Sequence, residues 1–537
     1  TYHRAYLREG YIMVYQDVRG RFMSEGDFID IRPFNPDKKT SKDVDEASDT
    51  YDTIDWLLAN IKPNNGRVGA FGISYPGFYA SMAALCGHPA LKAVSPQAPV
   101  TDWFHGDDFH HNGAFMMMDA FSFYTGFGVP RPLPVQQYKG GYHPSGTDNY
   151  TYYLQQGTLK KLADLAGDSI AFWKDLYAHP DLDEWWRIRN VREWVGGIKP
   201  AIMVVGGLFD AEDCFGAWRL YQAMDKKNPA TNYVHLVMGP WSHGQWGGAD
   251  PGLSMGHPQF GSRTADWYRN NLELPFFNYY LKDKGKAPQA KATVFLSGRN
   301  EWKSWAQWPP AGKTDRPIYP DAGGTLSWEK PVVATKSSYV SDPAHPVPYT
   351  EDVHWGRTRE YMTDDQRFAS RRPDVLTFRT TPLEKELVLT GTVVADLLVS
   401  LSTTDADFIV KIIDEFPGDF KYNEASNDNY PMGGYQMLVR GEVMRGRYRN
   451  SFSKPQAFSP GKPERVQFEL PDISHAFLPG HRLVIQVQSS WFPLVDRNPQ
   501  QFVNIYNCTE ADFRSSTINL HHDPKAPSSF ILPVLEN

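Results

Sequence analysis

The chain has 537 residues, of which 41% are hydrophobic, 14% aromatic and 22% charged. This length exceeds what one hydrophobic core needs and, at roughly 150 residues per domain, predicts about two to four domains. A net charge of −7 without a basic block argues against a nucleic-acid or anionic-membrane partner. The sequence also lacks the apolar run of about 18 residues that a membrane-spanning helix needs.

The first hundred residues alternate between strand and helix patterns. Short apolar runs at 11–16, 68–73 and 91–94 predict strands. Apolar residues recur at spacings of three and four in 44–61, and 77–85 is rich in Ala and Met, so both segments predict helices. This alternation predicts a parallel sheet covered by helices on both sides.

The pattern changes between residues 101 and 198. This segment holds many aromatic residues and helix-like stretches, but no clear strand, and it predicts a helical insertion. The α/β pattern then resumes with strands at 201–205 and 233–238, a helix at 213–224 and a long amphipathic stretch at 264–282.

Short β-rich runs separated by Gly, Pro, Asn and Asp turns dominate the rest of the chain. They lie at 292–297, 386–390, 393–401, 407–413, 435–444, 465–469 and 482–488. Such runs predict a β-sandwich or jelly roll. The weakly patterned stretch 303–375 predicts long loops with a few edge strands. We therefore expect an α/β domain in two parts, 1–100 and 199–287, a helical cap at 101–198, and a β domain at 288–537.

A candidate nucleophile lies where the strand 68–73 meets the next helix. The segment Gly72-Ile73-Ser74-Tyr75-Pro76-Gly77 places a serine on a sharp strand-to-helix turn, which is the setting of a nucleophile elbow. Pro76 occupies the position of the usual second glycine, and a glycine follows one residue later. The alternative is an ordinary Gly-Ser turn without chemistry.

A serine nucleophile needs a histidine base and a carboxylate that orients the base. In an α/β-hydrolase these follow the serine in the order acid, histidine, each on a loop after a later strand. Asp210 follows the strand 201–205 and His243 follows the strand 233–238, so both lie at the sheet edge that binds ligands. Asp213 is a second candidate for the acid. Four histidines in loops compete with His243 but lack its place after a strand: His105, His110, His111 and His257. His235 lies inside its strand, which indicates a structural role.

Carboxylates crowd the same region of the predicted sheet. Asp210, Glu212 and Asp213 lie within four residues, and Asp107-Asp108 lies in the loop after the strand 91–94. Crowded carboxylates raise one another's pKa unless a cation neutralises them, and a substrate ammonium group is such a cation. The alternative is a helix N-terminus, where the helix dipole favours acids in the first turn. A divalent metal is a third alternative, although no histidine has the spacing to support it.

The assembled motifs resemble the group of serine hydrolases that contains the X-prolyl dipeptidyl aminopeptidases and the cocaine esterases. The similar segments are the elbow around Ser74, Gln16-Asp17-Val18-Arg19-Gly20, Gly207-Leu208-Phe209-Asp210, Gly239-Pro240-Trp241-Ser242-His243 and, later, Gly480-His481-Arg482-Leu483. The resemblance covers nearly the whole chain. It implies an α/β-hydrolase fold with an inserted helical cap and a C-terminal jelly roll, and a Ser74, Asp210, His243 triad.

Within this group the chain resembles the α-amino acid ester hydrolases. Their carboxylate cluster, which binds the α-ammonium group of the substrate, matches Asp108, Glu212 and Asp213, whereas the esterase branch lacks it. The resemblance implies that the Tyr75 N–H is one oxyanion-hole donor and that a tyrosine hydroxyl is the other. That tyrosine would precede Thr1, and the absence of an initial methionine also suggests a segment before Thr1, where any export signal would lie.

We therefore predict a serine hydrolase and acyltransferase that cleaves esters or amides of α-amino acids with a free amine and transfers the acyl group to water or to β-lactam amines. Alternatives are an X-prolyl dipeptidyl peptidase, a general carboxylesterase, and a carbohydrate-binding protein with an inactive hydrolase domain. No cofactor and no metal are implied. The resemblance implies a secreted or periplasmic homo-oligomer, such as a tetramer. Cys86, Cys214 and Cys508 are too few for a disulfide scaffold. One disulfide with a free thiol and three buried thiols both remain open.

Overall fold

The computed structural model describes residues 3–138, 146, 148–228, 233–421 and 430–536. In these ranges the α-helices are α1 (Arg4–Arg8), α2 (Glu46–Asn60), α3 (Tyr75–Ala84), α4 (Met117–Phe127), α5 (Asn149–Gln156), α6 (Leu159–Ala166), α7 (Ala171–Ala178), α8 (Glu184–Arg187), α9 (Cys214–Lys227), α10 (Thr264–Tyr268), α11 (Leu274–Lys282) and α12 (Arg367–Ser370). The strands are β1 (Val68–Ile73), β2 (Leu91–Gln97), β3 (His110–His111), β4 (Ala114–Phe115), β5 (Ala201–Gly207), β6 (Val234–Gly239), β7 (Ala292–Leu296), β8 (Glu301–Trp305), β9 (Lys313–Pro320), β10 (Leu326–Ser327), β11 (Thr335–Ser341), β12 (Leu376–Arg379), β13 (Leu387–Leu401), β14 (Asp407–Glu415), β15 (Gln436–Arg445), β16 (Glu464–Phe477), β17 (Arg482–Gln488), β18 (Ser516–His522) and β19 (Ser529–Leu535).

The first sheet has the order β1-β2-β5-β6-β7-β8. Its pairs are parallel up to β7, and β8 pairs antiparallel with β7. Strands β5 and β6 are buried along their whole length, as expected for central strands covered by helices on both faces. The carboxyl ends of β1, β5 and β6 meet at one edge, which brings together the loops that carry Ser74, Asp210 and His243.

The strand predicted at 292–297 belongs to this sheet and not to the C-terminal domain. Strand β7 is buried at every position and pairs with β6, so the sheet continues past the predicted boundary at residue 288 as far as Trp305. A short buried apolar run looks the same in a parallel sheet and in a sandwich core, so its sequence could not assign it.

Helix α2 begins where the local sequence provides an N-terminal cap. The Asp45 carboxylate accepts a hydrogen bond from Ser48 N, and Ser48 Oγ accepts one from Asp45 N, which is a reciprocal N-terminal cap worth about 1 kcal/mol. Ala47 and Ile54 are buried on one face, as the spacing in 44–61 predicts.

The predicted strand at 11–16 was wrong. This segment has no regular secondary structure, and the alternate residues Ile12 and Val14 are about half exposed. The Tyr11 hydroxyl donates to Asn278 Oδ1, and the Tyr11 N–H donates to Tyr6 O, which belongs to α1 and not to a strand. An apolar run forms a strand only where a sheet edge pairs with it, and the described residues provide no partner for this one.

The insertion at 101–198 is mainly helical, with α4–α8 and the short hairpin β3-β4. The C-terminal part is β-rich. One of its sheets has the order β10-β9-β19-β13-β18-β11, with β16 also paired to β13, and the other has the order β12-β17-β14-β15. The predicted α/β-hydrolase fold with a C-terminal β-rich domain is confirmed.

Candidate active site

Ser74 is held in a strained backbone conformation between β1 and α3. Its φ of 71° and ψ of −131° are rare for a residue with a side chain and cost about 1–3 kcal/mol. Glycines make the turn possible: a Cβ on Gly72 would lie 2.3 Å from Pro76 O, and a Cβ on Gly77 would lie 2.4 Å from Gln97 O. The turn therefore needs glycine at both positions 72 and 77.

Asp210 and His243 form a buried pair at the ends of β5 and β6. The two carboxylate oxygens of Asp210 lie 3.1 and 3.0 Å from His243 Nδ1. Asp210 Oδ1 also accepts hydrogen bonds from Glu212 N and Asp213 N at 2.9 and 3.1 Å. Burial alone would raise the pKa of Asp210, but His243 and these backbone donors lower it below its ordinary value. Asp210 is therefore an ionised acceptor that fixes the ring of His243.

Two further acids lie near the His243 ring. Its Nε2 lies 3.3 Å from Glu212 Oε2, and its Nδ1 lies 3.7 Å from Asp213 Oδ2. Burial lowers the pKa of His243, but Asp210, Glu212 and Asp108 together raise it to about 9. In the described part of the chain, the Ser74 hydroxyl is not a hydrogen-bond partner of this ring. Catalytic hydrogen bonds are often long in free enzymes and tighten when substrate binds.

A cavity of about 200 Å³ opens beside Ser74. Its walls combine aromatic or aliphatic and charged or polar side chains: Tyr75, Val100, Trp103, Phe109, Phe123, Asp108, Asp119, Ser122, Glu212 and Arg357. The cavity is lined by residues of the α/β domain, the cap and the loop between β11 and β12.

The structure brings the predicted acids Asp108, Glu212 and Asp213 to the triad. Asp108 lies in a left-handed turn with φ 44°, and its N–H donates to Glu212 O at 3.0 Å. Its carboxylate accepts a hydrogen bond from Trp103 Nε1 at 2.9 Å. Burial and the charge of Glu212 raise the pKa of Asp108 to about 8. The site therefore holds more carboxyl groups than its own cations can keep ionised at neutral pH.

Asp213 is fully buried beside the triad pair. Neither of its carboxylate oxygens has a hydrogen-bond partner among the described residues. Burial, Asp108 and Asp107 raise its pKa well above the ordinary value. Asp107 Oδ2, by contrast, accepts from Thr101 N, Thr101 Oγ1 and Asp102 N, so Asp107 mainly holds the turn that precedes Asp108.

Sequence reasoning missed Arg357 and Asp119. Arg357 Nε donates to Asp119 Oδ1 at 2.6 Å, and Arg357 Nη2 pairs with Glu212 Oε1. Arg357 lies in the weakly patterned stretch 303–375, and Asp119 lies on α4 in the cap. No sequence signal links these segments to residue 212, so only the fold shows that they meet.

The hydroxyl and the backbone N–H of Tyr75 have separate roles in the site. Its hydroxyl donates to Asp30 Oδ1 at 2.6 Å and accepts from Ile31 N at 2.7 Å, which fixes the ring. Its backbone N–H lies in the first turn of α3, where amides have no partner within the helix and can face an oxyanion.

The described residues contain no group of His, Cys, Asp and Glu side chains arranged to hold a metal ion. None of the described helices is long and apolar enough to cross a membrane. Cys86, Cys214 and Cys508 all carry free thiols.

The sequence matches two known protein families. Residues 1–245 match the family described as "X-Pro dipeptidyl-peptidase (S15 family)", and residues 274–531 match "X-Pro dipeptidyl-peptidase C-terminal non-catalytic domain". The chain is also 28% identical over 558 residues to the cocaine esterase of Rhodococcus sp. (strain MB1 Bresler), covering 99% of this chain and 89% of that protein.

Two solved structures share the whole fold. The aminopeptidase from the marine sediment archaeon Thaumarchaeota archaeon has a TM-score of 0.92 and 37% identity, covering 100% of this chain and 87% of that chain. An α-amino acid ester hydrolase has a TM-score of 0.92 and 38% identity, covering 99% of this chain and 87% of that chain.

Proposed function

The chain belongs to the X-Pro dipeptidyl-peptidase (S15) and cocaine-esterase group of serine hydrolases, and on that premise we propose that it cleaves esters and amides of α-amino acids with a free α-amine. The observation that carries this proposal is the set of carboxylates of Asp108, Glu212 and Asp213 around the triad. Burial and the neighbouring carboxylates raise the pKa of Asp108 and Asp213, and a bound ammonium group would stabilise the ionised forms of these two acids.

The distance between the acids and the triad favours an α-amine over a more remote one. Glu212 Oε2 lies 3.3 Å from His243 Nε2, so the anchor is adjacent to the reacting atoms. The nitrogen of an α-amino acyl group is two bonds from the carbonyl carbon, whereas that of a dipeptidyl group is five bonds away. An anchor this close suits a single amino acid residue better than an X-prolyl dipeptide.

The proposed reaction proceeds through an acyl-enzyme. Ser74 Oγ attacks the carbonyl carbon while His243 takes the hydroxyl proton and Asp210 holds the ring. The Tyr75 N–H stabilises the oxyanion, and His243 returns the proton to the departing alcohol or amine. Water, activated by His243, then releases the amino acid. The amine of a β-lactam nucleus attacking the same acyl-enzyme would instead give acyl transfer.

The apolar wall of the cavity sets the expected side chain. Trp103, Phe109 and Phe123 line the space next to Ser74 and Asp108. Aromatic side chains bury large area and pack favourably on one another, so phenylglycine-type acyl groups are the substrates that we propose.

The test compares initial rates on phenylglycine methyl ester and phenylacetic acid methyl ester, which differ only in the α-amine. We expect a preference of about 10- to 100-fold for the amine, the value of one charged hydrogen bond of about 1.5–3 kcal/mol. Asp108→Asn should reduce the preference, whereas Asp315→Asn, at a surface pair with Lys313, should leave it unchanged. Equal wild-type rates would leave a serine hydrolase without an ammonium site and contradict the proposal.

An aminopeptidase is the second candidate, because the similar archaeal structure is named as one and such an enzyme also needs a free α-amine. Phenylglycine amide and short peptides with the same first residue separate the two. Faster turnover of the peptides than of the methyl ester would favour the peptidase.

A further inference from the structure

The carboxylate of Glu212 is shared between two cationic groups in the free enzyme. Its Oε1 pairs with Arg357 Nη2, and its Oε2 lies 3.3 Å from His243 Nε2. We propose that Glu212 is a latch on the catalytic base, and that the ammonium group of the substrate opens the latch by replacing His243 as the partner of Glu212. This inference rests on the function proposed above and extends it from binding to activation.

The backbone of Glu212 is fixed, so only its side chain is free to respond. Its N–H donates to Asp210 Oδ1 at 2.9 Å, and its carbonyl oxygen accepts from Asp108 N at 3.0 Å. Arg357, which also donates to Asp119, remains paired with Oε1 of Glu212 when the other oxygen changes its partner. The other oxygen has the ring of His243 as its present partner. Because Glu212 lines the cavity beside Ser74, an ammonium group bound there is its alternative partner.

The contact occupies the nitrogen that catalysis requires. Because Nδ1 faces Asp210, Nε2 is the atom that must accept the proton of Ser74. A carboxylate opposite Nε2 favours a proton on that atom, and a protonated Nε2 cannot act as the base. Four acids face this ring: Asp210, Asp213, Glu212 and Asp108. Burial lowers the pKa of His243, but Asp210, Glu212 and Asp108 raise it to about 9, so the free enzyme holds an imidazolium at neutral pH.

Only Glu212 and Asp108 among these acids line the cavity that the substrate enters. An ammonium group bound beside the Glu212 carboxylate supplies to it the positive charge that the imidazolium supplied before. The ring then loses its proton to solvent, and the total charge of the site is unchanged: one ammonium group enters and one proton leaves. Neutral His243 is now able to take the proton of Ser74.

The latch predicts that the amine affects the protonation state of the base as well as affinity. For an ester without an amine, kcat/KM should rise with pH up to about 9, because only the small neutral fraction of His243 reacts. Since kcat/KM reports the free enzyme, the effect of the ammonium group appears in kcat, whose acidic limb should lie at lower pH for the amine-bearing ester.

Glu212→Gln removes the charge with little change of shape and gives the sharpest test. At pH 7 the variant should hydrolyse phenylacetic acid methyl ester faster than wild type, by about tenfold for each unit by which the pKa of His243 falls. The acidic limb of its pH profile should move to lower pH. Activity on phenylglycine methyl ester should fall. The matched control is Glu469→Gln, which removes a surface carboxylate paired with Arg219 and should change neither rate.

Methylammonium chloride tests the latch on the wild-type enzyme, without any question of folding. The ion should occupy the space of the missing amine and accelerate hydrolysis of phenylacetic acid methyl ester in a saturable way, compared with sodium chloride at equal ionic strength. A variant that is no faster on this ester, together with no acceleration by methylammonium, overturns the latch. If wild type prefers the amine-bearing ester in that case, the proposed function stands and only the latch fails; equal wild-type rates on both esters contradict the proposed function itself.

Discussion

Two sets of serine, histidine and aspartate side chains each include a serine that directly follows a strand of the six-stranded sheet, Ser74 after β1 and Ser297 after β7. The first is Ser74, His243 and Asp210. In the second, Ser297 Oγ lies 2.8 Å from His475 Nδ1, and His475 Nε2 lies 3.1 Å from Asp414 Oδ2. Asp414 Oδ1 also binds the ring of His481 at 2.8 Å.

In the second set the serine, histidine and aspartate are joined by hydrogen bonds, but the serine cannot react with a substrate. Ser297 is 2% exposed, and its hydroxyl also bonds to Ser474 O at 3.0 Å, so no substrate reaches it. Ser297 follows β7, whereas His475 lies on β16, and the set therefore joins the sheet to the C-terminal domain. Ser74, in contrast, lines a cavity at the N-terminus of a helix. The comparison shows that access and a place for the oxyanion, and not hydrogen-bond distances, distinguish a catalytic serine.

The largest difference between the two sets is expected in kcat when each serine is replaced by alanine. Ser74→Ala removes the nucleophile and should lower kcat on the amino acid ester by about 10⁴-fold or more. Ser297→Ala should leave kcat unchanged, because it only removes a buried hydrogen bond. A fluorophosphonate probe should label wild type and Ser297→Ala but not Ser74→Ala. Labelling at Ser297 would contradict the distinction.

Replacing Asp210 should mainly lower activity, whereas replacing Asp414 should mainly lower stability. Asp210→Asn leaves His243 in the wrong tautomer and should lower kcat by about 10⁴-fold. Asp414→Asn leaves two buried rings without their carboxylate and should cost about 3–5 kcal/mol of stability with kcat retained. Urea unfolding and active-site titration measure the two quantities. A large loss of kcat per active site in Asp414→Asn would show that the second set acts on the first.

A smaller effect is expected at Lys411, a buried cation in the same domain without a carboxylate partner among the described residues. Its Nζ donates to Gln366 Oε1 at 2.9 Å and lies 5.2 Å from the centre of the Trp491 ring. Burial lowers its pKa to about 7, below the ordinary value of about 10.4 in an unfolded chain. The folded state thus binds fewer protons between these values, so stability should rise with pH from about 7 to about 10.

Lys411→Met should remove that pH dependence and stabilise the protein at pH 7 and below. Thermal unfolding of both proteins from pH 6 to pH 10 provides the measurement. Parallel curves for the variant and wild type would mean that Lys411 keeps its charge when buried.

The sequence was informative where function depends on neighbouring residues. Gly72 and Gly77 mark the turn of Ser74, Asp210 and His243 each follow a strand, and Glu212 lies two residues beyond Asp210. These relations are local, and the order of parallel strands is enough to bring them to one edge of the sheet.

Long-range relations could not be predicted in this way. Arg357 reaches Glu212 from 145 residues away through a loop without a regular pattern. Whether β7 pairs with β6 depends on partners and not on its own apolar residues. The segment 11–16 has the composition of a strand, but a strand forms only when a neighbour satisfies its backbone groups.

The contribution of Arg357 has a consequence for synthesis of the protein. The ribosome completes all three triad residues before it reaches the segment that holds Glu212 in place, and Arg357 can meet Asp119 only when the following domain has packed against the cap. Because domains generally fold from the N-terminus during synthesis, the nascent hydrolase domain has its nucleophile before its cavity is complete. Selectivity for substrate is thus acquired last, and substitutions in one loop of the final domain can alter it while the triad stays intact.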